Sequence, residues 1–363
     1  MSATAAGLLI YGANGYTGRL IVEQAIARGL RPVLSGRNAA EIDVMALERR
    51  LESRPASLDD AAALDRALAG SSVVIHAAGP FSHTSKAMVD ACIRNRVHYL
   101  DITGEITVFE TLASAARSAE AKAAGVMLMP GSGFDVVPSD CLAAHLHRRL
   151  PDATWLTLAF NGGTDVSRGT ATTMIENIER GGAVRRGGKI TRVPAAWRRR
   201  EVDFGDRVRR VVTLPWGDVS TAFHSTGIPN IEVYTAAPQS AVRGMILSRY
   251  LGWLLAAPPV QAYLKGKIRA GAPGPSDSQR AGATARLWGE AWNDDGGRVV
   301  SRLRTPDGYT LTALTAVAAA QKVIAGGAKP GFQTPSLAFG PDFILEIAGT
   351  EREDVTVTRE PRS

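Results

Sequence analysis

The chain has only two cysteines in 363 residues, Cys92 and Cys141, and their spacing fits neither a disulfide framework nor a metal motif. That scarcity points to a reducing compartment, and a cytoplasmic protein is expected. Histidine is also rare. His145 and His147 stand two apart on a predicted helix and face different ways, so no metal site is expected. Aromatic residues make up 6% of the chain and do not interleave with basic ones, which argues against nucleic acid as a partner. The opening residues Met1 to Gly7 lack a basic segment and run straight into a strand, so no signal peptide is expected. The apolar stretch Met245 to Leu264 contains Arg249 and two prolines, which makes it a poor membrane span. No internal repeat is evident.

What is present is ordinary globular composition, 45% hydrophobic and 21% charged, in a chain long enough for two domains. The net charge of +7 is mild and is concentrated between Arg185 and Arg210, a stretch that also holds Arg186, Lys189, Arg192, Arg198, Arg199, Arg200, Arg207 and Arg209. Such a run is either a solvated hairpin or a face for acidic lipid headgroups, a phosphopantetheine carrier or a cofactor.

Strand and helix patterns alternate over the first part of the chain. Leu8 to Tyr11 reads as a buried strand, Tyr16 to Arg28 as a helix, Pro32 to Ser35 as a second strand, and Asn38 to Arg50 and Leu58 to Leu68 as helices. Strands follow at Ser72 to Ala77, His98 to Ile102 and Val126 to Met129, with helices at Lys86 to Asn95, Ile106 to Ala124 and from Pro138 to Leu150. This is the pattern of an α/β doubly wound parallel sheet, a Rossmann domain over residues 1–150. Residues 151–310 read as an α+β domain with a mostly antiparallel sheet, including a hairpin turning at Asp294-Asp295-Gly296-Gly297. Residues 311–363 hold helices at Leu311 to Ala325 and Ser336 to Ile347, expected to return to the Rossmann domain.

Gly12, Gly15 and Gly18 form a glycine-rich turn between the first strand and the first helix, where backbone amides and the helix dipole can hold a pyrophosphate. Asn14, Tyr16 and Thr17 belong to the same turn. The end of the second strand selects the dinucleotide. It reads Ser35-Gly36-Arg37-Asn38, with no carboxylate for a ribose hydroxyl and with a guanidinium for a 2′-phosphate, so NADP is the expected cofactor. Ala78, Gly79, Pro80 and Phe81, then Thr103 and Gly104, then Gly133, Phe134 and Asp135 follow later strands and meet the same sheet edge.

These segments resemble the saccharopine dehydrogenase-like oxidoreductases, in particular the trans-acting enoyl reductases. The resemblance runs through Tyr11 to Arg19, Ser35 to Asn38, Ala78 to Phe81, His98 to Glu105, Pro130 to Asp140, Asp307-Gly308-Tyr309 and Gly331 to Ser336. It implies NADP(H), a Rossmann domain, a substrate domain inserted before the C-terminal helices, and reduction of double bonds in lipid-type molecules. Ser82-His83-Thr84 departs from the small, glycine-containing stretch expected after Phe81.

The catalytic group is not legible. Tyr99, Asp101 and His83 are the candidates, with Glu105 and Asp135 also near the cofactor edge, and Asp101 reads equally as a turn cap. Tyr263 and Lys267 have a tyrosine-x-x-x-lysine spacing but lie far outside the Rossmann pattern. Arg168, Thr170, Trp216 and His224 are candidate substrate contacts in the second domain. Met245 to Leu264 is a core helix, a cover for an apolar substrate, a homodimer contact or a peripheral membrane contact. The expected activity is an NADPH-dependent reductase acting on a C=C, C=N or C=O bond of a mainly apolar small-molecule or lipid-type substrate. The alternative is a non-catalytic NADP(H) sensor.

Overall fold

The computed structural model describes residues 7–162, 166–176 and 181–356. The first stretch alternates β1 (Leu8–Tyr11), α1 (Tyr16–Ala27), β2 (Val33–Ser35), α2 (Ala39–Arg49), α3 (Ala61–Leu68), β3 (Val73–His76), α4 (Phe81–Asn95), β4 (His98–Asp101), α5 (Ile106–Ala113), α6 (Ala115–Ala123) and β5 (Met127–Met129). Next come α7 (Val137–Arg149), β6 (Trp155–Asn161), α8 (Arg168–Glu176), β7 (Gly182–Arg186), β8 (Lys189–Val193), β9 (Arg199–Asp203), β10 (Val208–Thr213), α9 (Asp218–Thr226) and β11 (Asn230–Ala236). The remainder is α10 (Gln239–Leu255), α11 (Pro258–Ala270), α12 (Asp277–Ala281), β12 (Thr284–Trp292), β13 (Arg298–Pro306), α13 (Gly308–Lys322), β14 (Gly331–Phe332), α14 (Pro335–Phe339) and β15 (Glu351–Val355).

Two compact units result. Among the described residues the first comprises 7–137 and 309–339, the second 138–308 and 340–356. The division falls at 137 rather than 150, so α7 belongs to the second unit. The described residues of the expected 311–363 unit do not stay together either. α13, β14 and α14 return to the first unit, whereas β15 pairs antiparallel with β13 in the second. The expected helix over Ser336 to Ile347 breaks after Phe339, where Gly340 turns at φ +91°, and resumes only as a 3-10 turn at Phe343–Glu346.

The first unit carries a parallel sheet in the order β14-β5-β4-β3-β1-β2. β1 and β3 lie inside it and are buried along their whole length, which is why Leu8-Leu9-Ile10 and Val73-Val74-Ile75 are unbroken apolar runs. Leu9, Val33, Val74, Met88, Val89, Tyr99, Val108 and Leu128 contribute to one core. Two helices differ from expectation. The long helix over Ile106 to Ala124 is broken at Ser114, between α5 and α6. α4 begins at Phe81 rather than near Lys86.

The second unit has a nine-stranded sheet, β15-β13-β12-β6-β11-β10-β9, with β7 on β11 and β8 on β7. All its pairs are antiparallel except β6 with β11. The basic run forms β7 to β10, and acids meet much of its charge. Arg186 and Arg198 pair with Glu232, Arg200 with Glu290 at 2.9 Å, and Arg209 with Asp206 at 2.7 Å. Arg198 and Arg200 also stack over Trp197 and Trp288.

Candidate functional site

Because every strand of the first sheet runs the same way, the loops after β1 to β5 all leave from one edge. This edge gathers every predicted cofactor residue, and β1 lies at the point where the strand order reverses.

The loop after β1 is shaped by close backbone contact. Gly12 turns at φ +79°, and its amide donates to the Ser35 carbonyl at 2.8 Å. A Cβ on Gly12 would stand 2.9 Å from that of Ala78. A Cβ on Gly18 would stand 2.1 Å from the Gly12 carbonyl oxygen, so α1 rests directly on the turn. Gly15 occupies the N-cap position of α1 and is exposed. No side chain caps that helix, and no acidic residue stands in its first turn. A tight glycine cradle below an uncapped, electropositive helix end fits a pyrophosphate. Tyr16 packs edge-on to Tyr309 of the C-terminal return at 5.2 Å, and Thr17 is half-buried beside it.

At the end of β2, Arg37 is exposed and makes no hydrogen bond or ion pair with any described residue. Its charge is felt at the buried Tyr11 on β1. Burial pushes the Tyr11 hydroxyl up to about 12, and the Arg37 guanidinium opposes that rise. Asn38 caps α2 through the Glu41 amide. Glu41 itself enters this corner unannounced by the Ser35 to Asn38 segment. Its carboxylate accepts from Asn14 Nδ2 at 2.8 Å and from Asn38 Nδ2 at 2.6 Å. The asparagine-to-glutamate spacing of a capping box was the available signal.

The loop after β3 is held by α4. Thr84 Oγ1 donates to the Ala78 carbonyl at 2.8 Å and lies 3.0 Å from His76 Nε2. Burial drives the His76 pKa down to about 3, so this imidazole is neutral. The peptide between Gly79 and Pro80 is cis. Glu105, from the loop after β4, accepts the amides of Phe81 at 2.6 Å and Ser82 at 3.1 Å. That carboxylate satisfies the first donors of α4, and this is why the helix starts at Phe81. His83 is exposed on the same first turn.

Asp101 joins the last two loops. It is fully buried, and its Oδ1 accepts the amides of Thr103 and Gly131, each at 2.9 Å. Tyr99, also fully buried, donates its hydroxyl to Asp101 Oδ2 at 2.7 Å. Burial pushes the Asp101 carboxyl up to about 6 despite the hydrogen bonds that favour its charged form. The pair thus positions backbone and is remote from solvent. Gly104 lies against Asp135, whose Oδ2 would stand 2.7 Å from a Cβ there. α13 buttresses the 132–134 segment. Thr312 Oγ1 accepts the Phe134 amide at 2.9 Å, Thr315 Oγ1 donates to the Ser132 carbonyl at 2.8 Å, and a Cβ on Gly133 would meet Thr312.

The candidate substrate contacts belong to the second unit. Arg168 Nε donates to the Gly271 carbonyl at 2.9 Å, and Thr170 is half-buried in the first turn of the same helix. Trp216 packs on Phe160 at 4.9 Å, and His224 lies on α9 against Phe223. Tyr263 is exposed, with the Lys267 ammonium 5.2 Å from its ring centre. Among the described residues no group of acidic, histidine or cysteine side chains could hold a metal ion.

Residues 8–129 match the family model described as the saccharopine dehydrogenase NADP binding domain. A trans-acting enoyl reductase of Mycobacterium leprae is 32% identical over 150 residues, covering 39% of this chain and 36% of that protein. A saccharopine dehydrogenase-like oxidoreductase of Homo sapiens is 28% identical over 152 residues, covering 37% and 35%. The matched stretch therefore spans little more than a third of these relatives. Over the whole fold, apo saccharopine dehydrogenase (L-Glu forming) from Saccharomyces cerevisiae superposes with a TM-score of 0.65 at 14% identity, covering 96% of this chain and 99% of that one. Over residues 8–129, therefore, the chain is similar to the saccharopine dehydrogenase NADP binding domain.

Proposed function

We propose that the chain is an NADPH-dependent reductase acting on a C=C, C=N or C=O bond of a mainly apolar, lipid-type substrate. The observation that carries this reading is one corner of the crevice, where the uncapped α1 N-terminus sits beside the exposed, unpartnered Arg37. The family of residues 8–129 supports the choice of cofactor. The relatives named as enoyl reductases make C=C the first bond to test.

Bound here, a reduced nicotinamide dinucleotide would supply hydride. The chain's own part is to bind and orient. The α1 amides would hold the pyrophosphate, and Arg37 would pair with the 2′-phosphate. Asn14 and Asn38 satisfy Glu41, which weakens its opposition to a second anion. Thr84 and Glu105 fix the loop over residues 77–82, and Asp101 with Tyr99 fixes the loops after β4 and β5. We assign Tyr99 and Asp101 to positioning. Of the three candidate catalytic residues, His83 is the one that stands exposed at the surface. The two cysteines are buried and unpaired, which supports a reducing, cytoplasmic setting.

The test is incubation of the purified chain with NADPH and a panel of lipid-type enones, imines and ketones, following NADPH fluorescence. Oxidation of many equivalents of NADPH per chain, dependent on one substrate class, is expected. Saturable NADPH binding with no oxidation across the panel would overturn the reductase and favour the sensor.

A further inference from the structure

Helices α10 and α11 depart from the usual behaviour of surface helices, which bury an apolar stripe and turn polar residues outward. α10 buries only Ser248, and α11 buries nothing. Leu247, Tyr250, Leu251 and Leu254 recur at the spacing of one helical face, and all are exposed, Leu247 at 56% and Tyr250 at 73%. Trp253 flanks them at 74%, and Tyr263 on α11 is 61% exposed. The helices are nevertheless anchored. Arg249 donates to the carbonyls of Ala195 and Ala196 at 2.7 and 2.8 Å, Gln261 bonds the Ile175 carbonyl of α8 at 3.1 Å, and Lys265 pairs with Glu176 at 2.6 Å.

Charge identifies what this surface meets. Between Glu232 and Asp277 the chain has no acidic residue and five basic ones, Arg243, Arg249, Lys265, Lys267 and Arg269. Arg249 and Lys265 serve as anchors. Arg243, Lys267 and Arg269 are exposed, and no described carboxylate pairs with them. Exposed tryptophan, tyrosine and leucine on helices that carry cations and no acidic residue of their own match an anionic lipid surface, where aromatic rings sit at headgroup level and each cation gains from the surface potential. A second copy fits less well, because a two-fold contact would set these cations against themselves without a carboxylate to answer them. Spanning is not implied, since no helix among the described residues is long and apolar enough to cross a membrane.

We propose that the α10–α11 face docks the protein on an anionic lipid surface, lying in the headgroup region with Leu247, Tyr250 and Trp253 inserted. This goes beyond the reductase reading and does not depend on it, because docking would hold whatever bond the chain reduces.

The experiment is flotation of the full chain with phosphatidylcholine–phosphatidylserine vesicles and, separately, with phosphatidylcholine vesicles, at low and high salt. Binding to the anionic vesicles that weakens with salt is expected. The double variant Leu247→Ser with Trp253→Ser should lose about tenfold in partitioning, and Arg243→Glu with Lys267→Glu should abolish the preference for phosphatidylserine. These side chains are exposed, so thermal melting and NADPH affinity should match wild type, which separates lost docking from lost folding. The proposal is overturned by equal binding to both vesicle types, by no binding, or by a double variant that floats like wild type. It is also overturned if the chain ignores vesicles and sediments as a dimer that Leu247→Ser with Trp253→Ser converts to monomer, since the face would then be a self-association surface.

Discussion

Replacing Glu105 by glutamine tests how the loops of the cofactor edge are held. The carboxylate is buried, at 8% exposure, and accepts the Phe81 and Ser82 amides at 2.6 and 3.1 Å. Glutamine keeps the shape but offers one acceptor and one donor group. One of the two amides therefore loses its bond and faces an N–H instead. A charge-assisted bond of this kind contributes about 1.5–3 kcal/mol, and the lost interaction of the carboxylate with the α4 dipole adds about 0.3–1 kcal/mol. Little of this is screened by solvent. We expect Glu105→Gln to lower the stability of the first unit by about 2–4 kcal/mol, read as a shift in urea midpoint at unchanged slope. NADPH affinity should fall as well, because the loop over residues 77–82 borders the crevice. Calorimetric titration at a temperature where the variant is fully folded separates that effect from unfolding. A variant within about 0.5 kcal/mol of wild type, the ordinary range for an uninvolved surface change, would refute the clamp.

Arg37→Ala should weaken NADPH by about one decade and leave NADH nearly unchanged, the small margin reflecting an exposed site and the nearby Glu41 carboxylate. Titration calorimetry with both cofactors decides this, and equal losses for the two would show that Arg37 does not read the phosphate. Gly18→Ala places a methyl group 2.1 Å from the Gly12 carbonyl oxygen, so α1 must lift from its turn. A cost of at least about 1–3 kcal/mol and loss of NADPH binding are expected in denaturant and titration measurements, and wild-type values in both would contradict the packing. Burial, with the charge of Asp140 adding to it, pushes the Asp218 carboxyl up to about 7 from an ordinary 3.8. The native state thus holds this proton more tightly than the unfolded chain does. Stability from this group is complete below about pH 4 and is lost as pH rises through 7. The shift corresponds to an upper bound of about 4 kcal/mol, so Asp218→Asn should flatten the pH–stability profile between those limits. A profile unchanged by the substitution would remove Asp218 as its source.

Local sequence determined the parts of this protein that local physics controls. Short unbroken apolar runs that end at glycine-rich turns fit buried parallel strands, so β1 and β3 were readable, and glycines at 12, 15 and 18 placed the turn between strand and helix. The turn signal Asp294-Asp295-Gly296-Gly297 marked the β12–β13 hairpin in the same way. Tertiary structure decided whatever depends on partners distant in the chain. Glu105 starts α4 from 24 residues away, Thr312 braces Phe134 across 178, and β15 finds β13 only after the chain has left the first unit. Asp101 and Tyr99 stood out because they lie at the end of a strand, and only the tertiary structure showed that both are fully buried and hydrogen-bonded to each other. Periodicity reports which residues share a face. It does not report what that face meets, and so the apolar stripe of α10 was legible in the sequence while its exposure was settled only by the packing of its neighbours.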